Sequence, residues 1–160
     1  MSVDTVYGLG FKIESVDGGS IANGSQSIKV KFDLRNRWDG RYKVTGSFVD
    51  IATPTITFTE QEVSLVTTGS ASVIMIPKDL GIPGYLILSG TSLSYYGSFG
   101  PIFNFDPASN NVVSVTNSYG QPAANTRSAE LDPSGTNKWD AATKSMTVKF
   151  FMKQPNTVTT

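Results

Sequence analysis

Apolar and polar residues alternate along most of this chain with a period of two, the spacing that sends successive side chains to opposite faces of a β-strand. The clearest case is Ile28, Val30, Phe32 and Leu34, interleaved with Lys29, Lys31 and Asp33. One apolar and one charged face predict a strand that lies over a core with its other side in water. Upstream, Phe11, Ile13 and Ser15 alternate with Lys12, Glu14 and Val16, which predicts a first strand stopped by Asp17-Gly18-Gly19-Ser20. Gly8 and Gly10 precede that strand and lead into no helix, so they are not a phosphate loop. After a turn at Trp38-Asp39-Gly40, Tyr42 to Phe48 alternate again, with Gly46 on the apolar face, where a bulge or bend is expected.

Ile56 and Phe58 predict a short strand, and Val63 to Val66 predict another. Thr67 to Ser70 join the latter to Ser72–Ile76 as a hairpin. Tyr85 to Leu88 are apolar throughout and read as a strand covered on both sides. Ser94 to Val115 hold the densest aromatic cluster and the clearest hairpin signal. Phe103 and Phe105 alternate with Ile102 and Asn104, Asp106 to Asn111 supply turn chemistry, and Val112, Val113 and Val115 begin the return strand. Within the irregular run Ser118–Lys138, Arg127 to Leu131 is the strand candidate, and Ser145 to Met152 read as the closing strand. One octad repeats: Phe105 to Val112 and Trp139 to Met146 both run aromatic, Asp, small, Ala, hydroxyl, polar, polar, apolar. The same β-turn used twice explains it.

No ten-residue stretch keeps a helical period, and a single turn near Lys78–Gly81 is the extent of the helical signal. The expectation is an all-β chain: an antiparallel up-and-down, lipocalin-like barrel of about eight to ten strands, or a β-sandwich. Residues 1–35 form an N-terminal hairpin or the end of a preceding module, 36–153 the main β domain, and 154–160 a flexible tail.

Composition narrows the chemistry. Charged residues make up only 16% and aromatics 11% of 160 residues, which suits a β-rich exported domain. Thirteen basic residues balance thirteen acidic ones, so no global field draws nucleic acid or an anionic membrane. The chain has neither Cys nor His. Disulfides, thiolate nucleophiles and His-based triads are therefore closed to it, as are His-metal sites. No metal or cofactor is expected. The Met1-Ser2 start, with no leader after it, is read as a chain cut from a longer precursor.

The candidate ligand-binding residues are Tyr95, Tyr96, Tyr119, Trp38 and Trp139. Flat rings suit the C–H faces of sugars, and phenols bond sugar hydroxyls. The competing reading is that such rings fill the β core; Trp38 and Trp139, each before an Asp at a turn, would cap its ends. Adjacent strand residues face opposite sides, so one of Tyr95 and Tyr96 should be exposed. The carboxylates Asp39, Asp50, Glu60, Glu62, Asp106, Glu130, Asp132 and Asp140 stand mostly at turns, where Asp has a local structural task, and not as a glycosidase pair. Asn23-Gly24-Ser25 matches a glycosylation sequon, a pattern common by chance.

Several runs resemble a known family: Ile28–Asp50 (IKVKFDLRNRWDGRYKVTGSFVD), Leu65–Gly69, Tyr96–Pro101 (YGSFGP), Leu131–Lys138 (LDPSGTNK) and Met146–Met152 (MTVKFFM). They are similar to the C-terminal domain of uncharacterised Bacteroidetes surface lipoproteins, found with starch-utilisation-like glycan-uptake loci and usually following an immunoglobulin-like module. The resemblance spans Asn36 to Met152. It implies a lipocalin-like barrel in an exported, lipid-anchored protein at the outer-membrane surface or in the periplasm. Its implied partners are a glycan or neighbouring outer-membrane proteins, and the membrane only through a lipid anchor. The lipoprotein signal with its Cys is missing from this sequence, and the family brings no catalytic residues.

The functional expectation is thus a non-catalytic domain for carbohydrate or adhesin-like recognition. A structural spacer and a carrier of a small apolar ligand are the alternatives.

Overall fold

The computed structural model describes residues 7–24, 26–120 and 127–154. The tail beyond Gln154 and Ser25 of the sequon lie outside them. The chain divides into two compact units, Met1–Arg35 and Asn36–Thr160. The fold is all-β: fourteen strands occur among the described residues, every pairing is antiparallel, and no sheet returns on itself.

The first unit is one hairpin, β1 (Tyr7–Lys12) on β2 (Ser27–Phe32). Tyr7, Leu9 and Phe11 pair with Phe32, Val30 and Ile28, so six apolar side chains share one face. The strands begin earlier than the alternation suggests and take Gly8 and Gly10 into β1, because Tyr7 pairs with Phe32 and stacks on it at 6.0 Å. Within its own unit β2 has no core to lie over, and Ile28 is 61% exposed and Val30 43%. Periodicity finds the apolar face, but a two-stranded ribbon has no second layer to bury it.

The second unit is built on a five-stranded sheet ordered β10-β9-β6-β5-β3, from β3 (Gly40–Val44), β5 (Gln61–Gly69), β6 (Ser72–Pro77), β9 (Pro101–Phe105) and β10 (Val112–Asn117). Strict alternation decides which side faces in. Val63, Leu65, Val73, Met75, Phe103 and Phe105 are buried, while Glu62, Val66 and Thr68 point outward. In β10 the inward residues Val112 and Val115 are three apart, which period two forbids. A bulge between Val112 and Ser114 resolves this by turning Val113 out to 56% exposure. The strand through Tyr42 stops at Val44, short of the expected Phe48, and Gly46 follows it with φ of 157°.

Around the same core lie β4 (Ile56–Thr57), β7 (Leu86–Ser89) and β8 (Ser92–Tyr95) as a second sheet, β11 (Ser128–Leu131) on β14 (Phe150–Lys153), and β12 (Lys138–Asp140) on β13 (Ser145–Thr147). Leu86 and Ile87, adjacent in β7, are both buried, as a strand covered on both sides requires. The expected closing strand is cut in two at Lys149. There Asn137 Oδ1 accepts the Lys149 amide at 2.8 Å, and the Lys149 carbonyl accepts the Asp132 amide at 2.9 Å. At Lys78–Gly81 the helical signal amounts to one turn closed by Gly81 N–H on Pro77 C=O.

Three asparagines, Asn36 half-buried and Asn117 and Asn137 buried, clip these pieces together. Asn36 donates to the carbonyls of Gly69 and Ser72 and accepts from the Trp38 amide. Asn117 donates to Ser98 and Arg127 carbonyls and accepts from the Gly100 and Tyr119 amides. Asn137 donates to the Asp132 carbonyl while accepting from Lys149. Each amide carries two donors and an acceptor into places where the ladder has stopped, and so satisfies backbone groups that would otherwise be buried unpaired.

Candidate functional site

The repeated octad forms two identical turns. Asp106 accepts the amides of Ala108 (3.1 Å) and Ser109 (3.3 Å), and Asp140 accepts those of Ala142 (2.7 Å) and Thr143 (3.3 Å). The fifth residue of each turn is left-handed, Asn110 at φ 61° and Lys144 at φ 55°. Ser109 Oγ also donates to Asp106, and this bond with the two amides holds the Asp106 carboxyl below its usual range. In both turns the aspartate is a capping group, as its turn position implies.

The fold sets these two turns side by side. Asn111 bridges to Lys138, Trp139 N–H donates to Asn110 C=O at 3.0 Å, and Val112 N–H to Asn137 C=O at 2.7 Å. Between them lies an open groove of about 570 Å³. One wall is Ser109 and Asn110; the other is the β12–β13 hairpin, with Thr136 beside it. Cross-strand pairing puts Lys138 opposite Thr147 and Asp140 opposite Ser145, on the face turned away from the Trp139 ring. The groove therefore offers hydroxyl, amide and charged groups beside the apolar Trp139, Ala141 and Ala142, which suits a ligand with both hydrogen-bonding and C–H surface. Arg37 reaches its rim and donates to Asn110 Oδ1 at 3.5 Å.

Comparison with protein-family models, curated sequences and solved structures finds no match. Any reading of function rests on the residues themselves and on the resemblance given above.

The five aromatic candidates do not gather on one accessible face. Trp38, Trp139 and Tyr96 are 1%, 2% and 6% exposed, whereas Tyr95 and Tyr119 are 49% and 46% exposed. Trp38 lies flat on Phe105, with centroids 4.3 Å apart. Trp139 Nε1 donates to the Tyr42 hydroxyl, which donates in turn to the Trp38 carbonyl. The two tryptophans therefore belong to one buried cluster. Phe99, Phe103 and Phe105 also fill the core.

Tyr96 faces inward, as its neighbour Tyr95 faces out. Its hydroxyl donates to Asp50, and the Arg127 guanidinium lies over its ring at 5.4 Å. Burial and then the Asp50 carboxylate push the phenol well above its ordinary range, while this hydrogen bond draws Asp50 below its own. Asp50 also caps the amides of Ala52 and Thr53, so the pair fixes the 45–55 segment over the core. Tyr119 does not line the groove, and its hydroxyl donates to the Pro83 carbonyl at 3.0 Å.

Thr136, Lys138 and Thr147 were not legible as site residues, because polar residues in a turn-rich stretch look like ordinary surface. The available signal is the repeated octad, which reads as one β-turn used twice and by itself names no site; its two copies frame the groove.

Proposed function

We propose that this chain is a non-catalytic recognition domain of an exported surface lipoprotein, binding carbohydrate in the groove between the twin turns. One observation carries the reading: beside Trp139, Ala141 and Ala142 the groove is lined by hydroxyls, an amide and opposite charges, a mix of apolar and hydrogen-bonding groups that suits a polyhydroxylated ligand with C–H faces. The exported, lipid-anchored setting, the outer-membrane surface or periplasm, and the lipocalin-like wrapping of the sheets come from the family resemblance. A sandwich serves the same argument, since the groove needs only the two turns in place. The test is a calorimetric and array titration against a broad polysaccharide panel. Binding that Thr136→Val and Thr147→Val weaken supports it; silence across the panel sinks it.

A second reading is favoured by the burial of Trp38, Trp139 and Tyr96, which spends three aromatic candidates on the core. On this reading the domain is a structural spacer against neighbouring outer-membrane proteins. It predicts that groove substitutions leave every binding measurement unchanged.

A further inference from the structure

We infer that the groove between the twin turns takes an anionic saccharide, one bearing carboxylate or sulfate groups, in preference to a neutral one. The inference rests on the carbohydrate reading and specifies its ligand.

Most of the groove's polar groups are already used within the protein. Ser109 Oγ donates to Asp106 and accepts from the Asn111 amide, and Ser145 Oγ is engaged with Thr143 Oγ1 at 2.7 Å. Asn110 Oδ1 is occupied by Arg37. Asp140 Oδ1 takes two amides of its own turn. Among the described residues this leaves the Lys138 ammonium, the Asn110 amide N–H pair and the Thr136 and Thr147 hydroxyls without a protein partner. Only Asp140 Oδ2 stands against them as a free acceptor-only atom. The threonine hydroxyls can donate or accept; of the groups that do only one, the Lys138 ammonium and the Asn110 N–H pair outnumber the lone Asp140 Oδ2, so a ligand that satisfies the groove brings acceptors. A sugar hydroxyl is donor and acceptor at once; a carboxylate or sulfate is acceptor only.

Charge points the same way. Lys138 and Asp140 line the groove; of the charged residues touching its walls, Arg37 bonds Asn110, Lys144 lies over Trp139 and Asp106 bonds Ser109, three cations in all against two carboxylates. No carboxylate pairs with Lys138 among the described residues, whereas Lys43, Lys78, Lys149 and Lys153 are each tied to one. Lys138 is held in the pairing of β12 with β13 opposite Thr147, so its position is set by backbone geometry.

The experiment uses the whole chain and two matched pairs of polymers, each differing only in charge: polygalacturonate with its methyl ester, and dextran sulfate with dextran. Calorimetry in low salt should show at least one charged polymer binding about tenfold or more tighter than its neutral twin, with the advantage fading as salt rises. Lys138→Gln should remove about tenfold of that affinity with the melting temperature unchanged, because its side chain is exposed and unpartnered, and Arg37→Gln a smaller part, with a small loss of stability from the guanidinium 5.4 Å over Trp38. Which charged polymer binds tells carboxylate from sulfate. Equal binding within both pairs, or binding of neutral polymers alone, overturns the anionic ligand and leaves carbohydrate recognition standing. Charged binding that ignores both variants overturns the groove as its location. If no polymer of either pair binds and the broad panel is silent too, the recognition reading itself falls.

Discussion

Trp38 and Phe105 lie face to face in the interior of the second unit, their ring centroids 4.3 Å apart and their planes within 5°. One belongs to the turn before β3 and the other ends β9, so the stack fastens the start of the domain to a strand near the opposite edge of the sheet. Trp38 Nε1 is buried with no hydrogen-bond partner. Trp38→Ala should cost about 3–5 kcal/mol in chemical denaturation. Trp38→Phe should cost less than half of that, because it keeps an aromatic face on Phe105 and removes an unsatisfied donor.

The Asp50–Tyr96 bond makes stability depend on pH at both ends. Asp50 is held below its ordinary 3.8, chiefly by the Tyr96 hydroxyl, so its contribution is complete above about pH 4 and drains as pH falls through the folded value. Tyr96 is held above its ordinary 10.0, first by burial and then by Asp50. Its contribution is complete below about pH 10 and is lost as pH rises beyond that. Denaturation curves near pH 3, 7 and 10.5 should show Asp50→Asn reducing the acid loss and Tyr96→Phe reducing the alkaline one. Each should cost about 1–2 kcal/mol at neutral pH.

Asn117 serves four backbone groups from three segments. Asn117→Ala strands them and should cost about 3 kcal/mol or more. Asn117→Asp keeps the acceptor for Gly100 but turns an oxygen on the Ser98 and Arg127 carbonyls. It should do no better than alanine, and a rescue by Asp would refute the hub.

Gly100 has no room for a side chain: an added Cβ would stand 2.7 Å from Pro83 Cβ and 2.7 Å from Ser118 Oγ. The serine can rotate and the proline ring cannot. Gly100→Ala should therefore cost about 1–3 kcal/mol, and adding Ser118→Gly should recover only a small part.

Lys144 holds a left-handed backbone at φ 55°, where its twin position carries Asn110. Lys144→Gly should stabilise the domain by about 0.5–1 kcal/mol, less whatever is lost from the ammonium lying 5.2 Å over Trp139. A loss of stability would show that the cation outweighs the strain.

Much of the fold is written locally. Alternation in β5, β6 and β9 names the inward residues because a strand's side-chain period is two whatever surrounds it. The octad names both hairpin turns because an aspartate caps amides two and three residues ahead without outside help. The all-β class follows from the same short-range rules. What the sequence could not state is which faces find a second layer. Ile28 and Val30 alternate as cleanly as Val63 and Leu65, yet the first pair is exposed and the second buried. Likewise Trp38 and Trp139 read equally well as exposed stackers or core caps until Phe105, Tyr42 and Asn110 came to meet them. The groove belongs wholly to the tertiary structure: it exists because two turns thirty-four positions apart in the octad repeat are hydrogen-bonded side by side, and pairing over that distance is decided by the packing of the whole core.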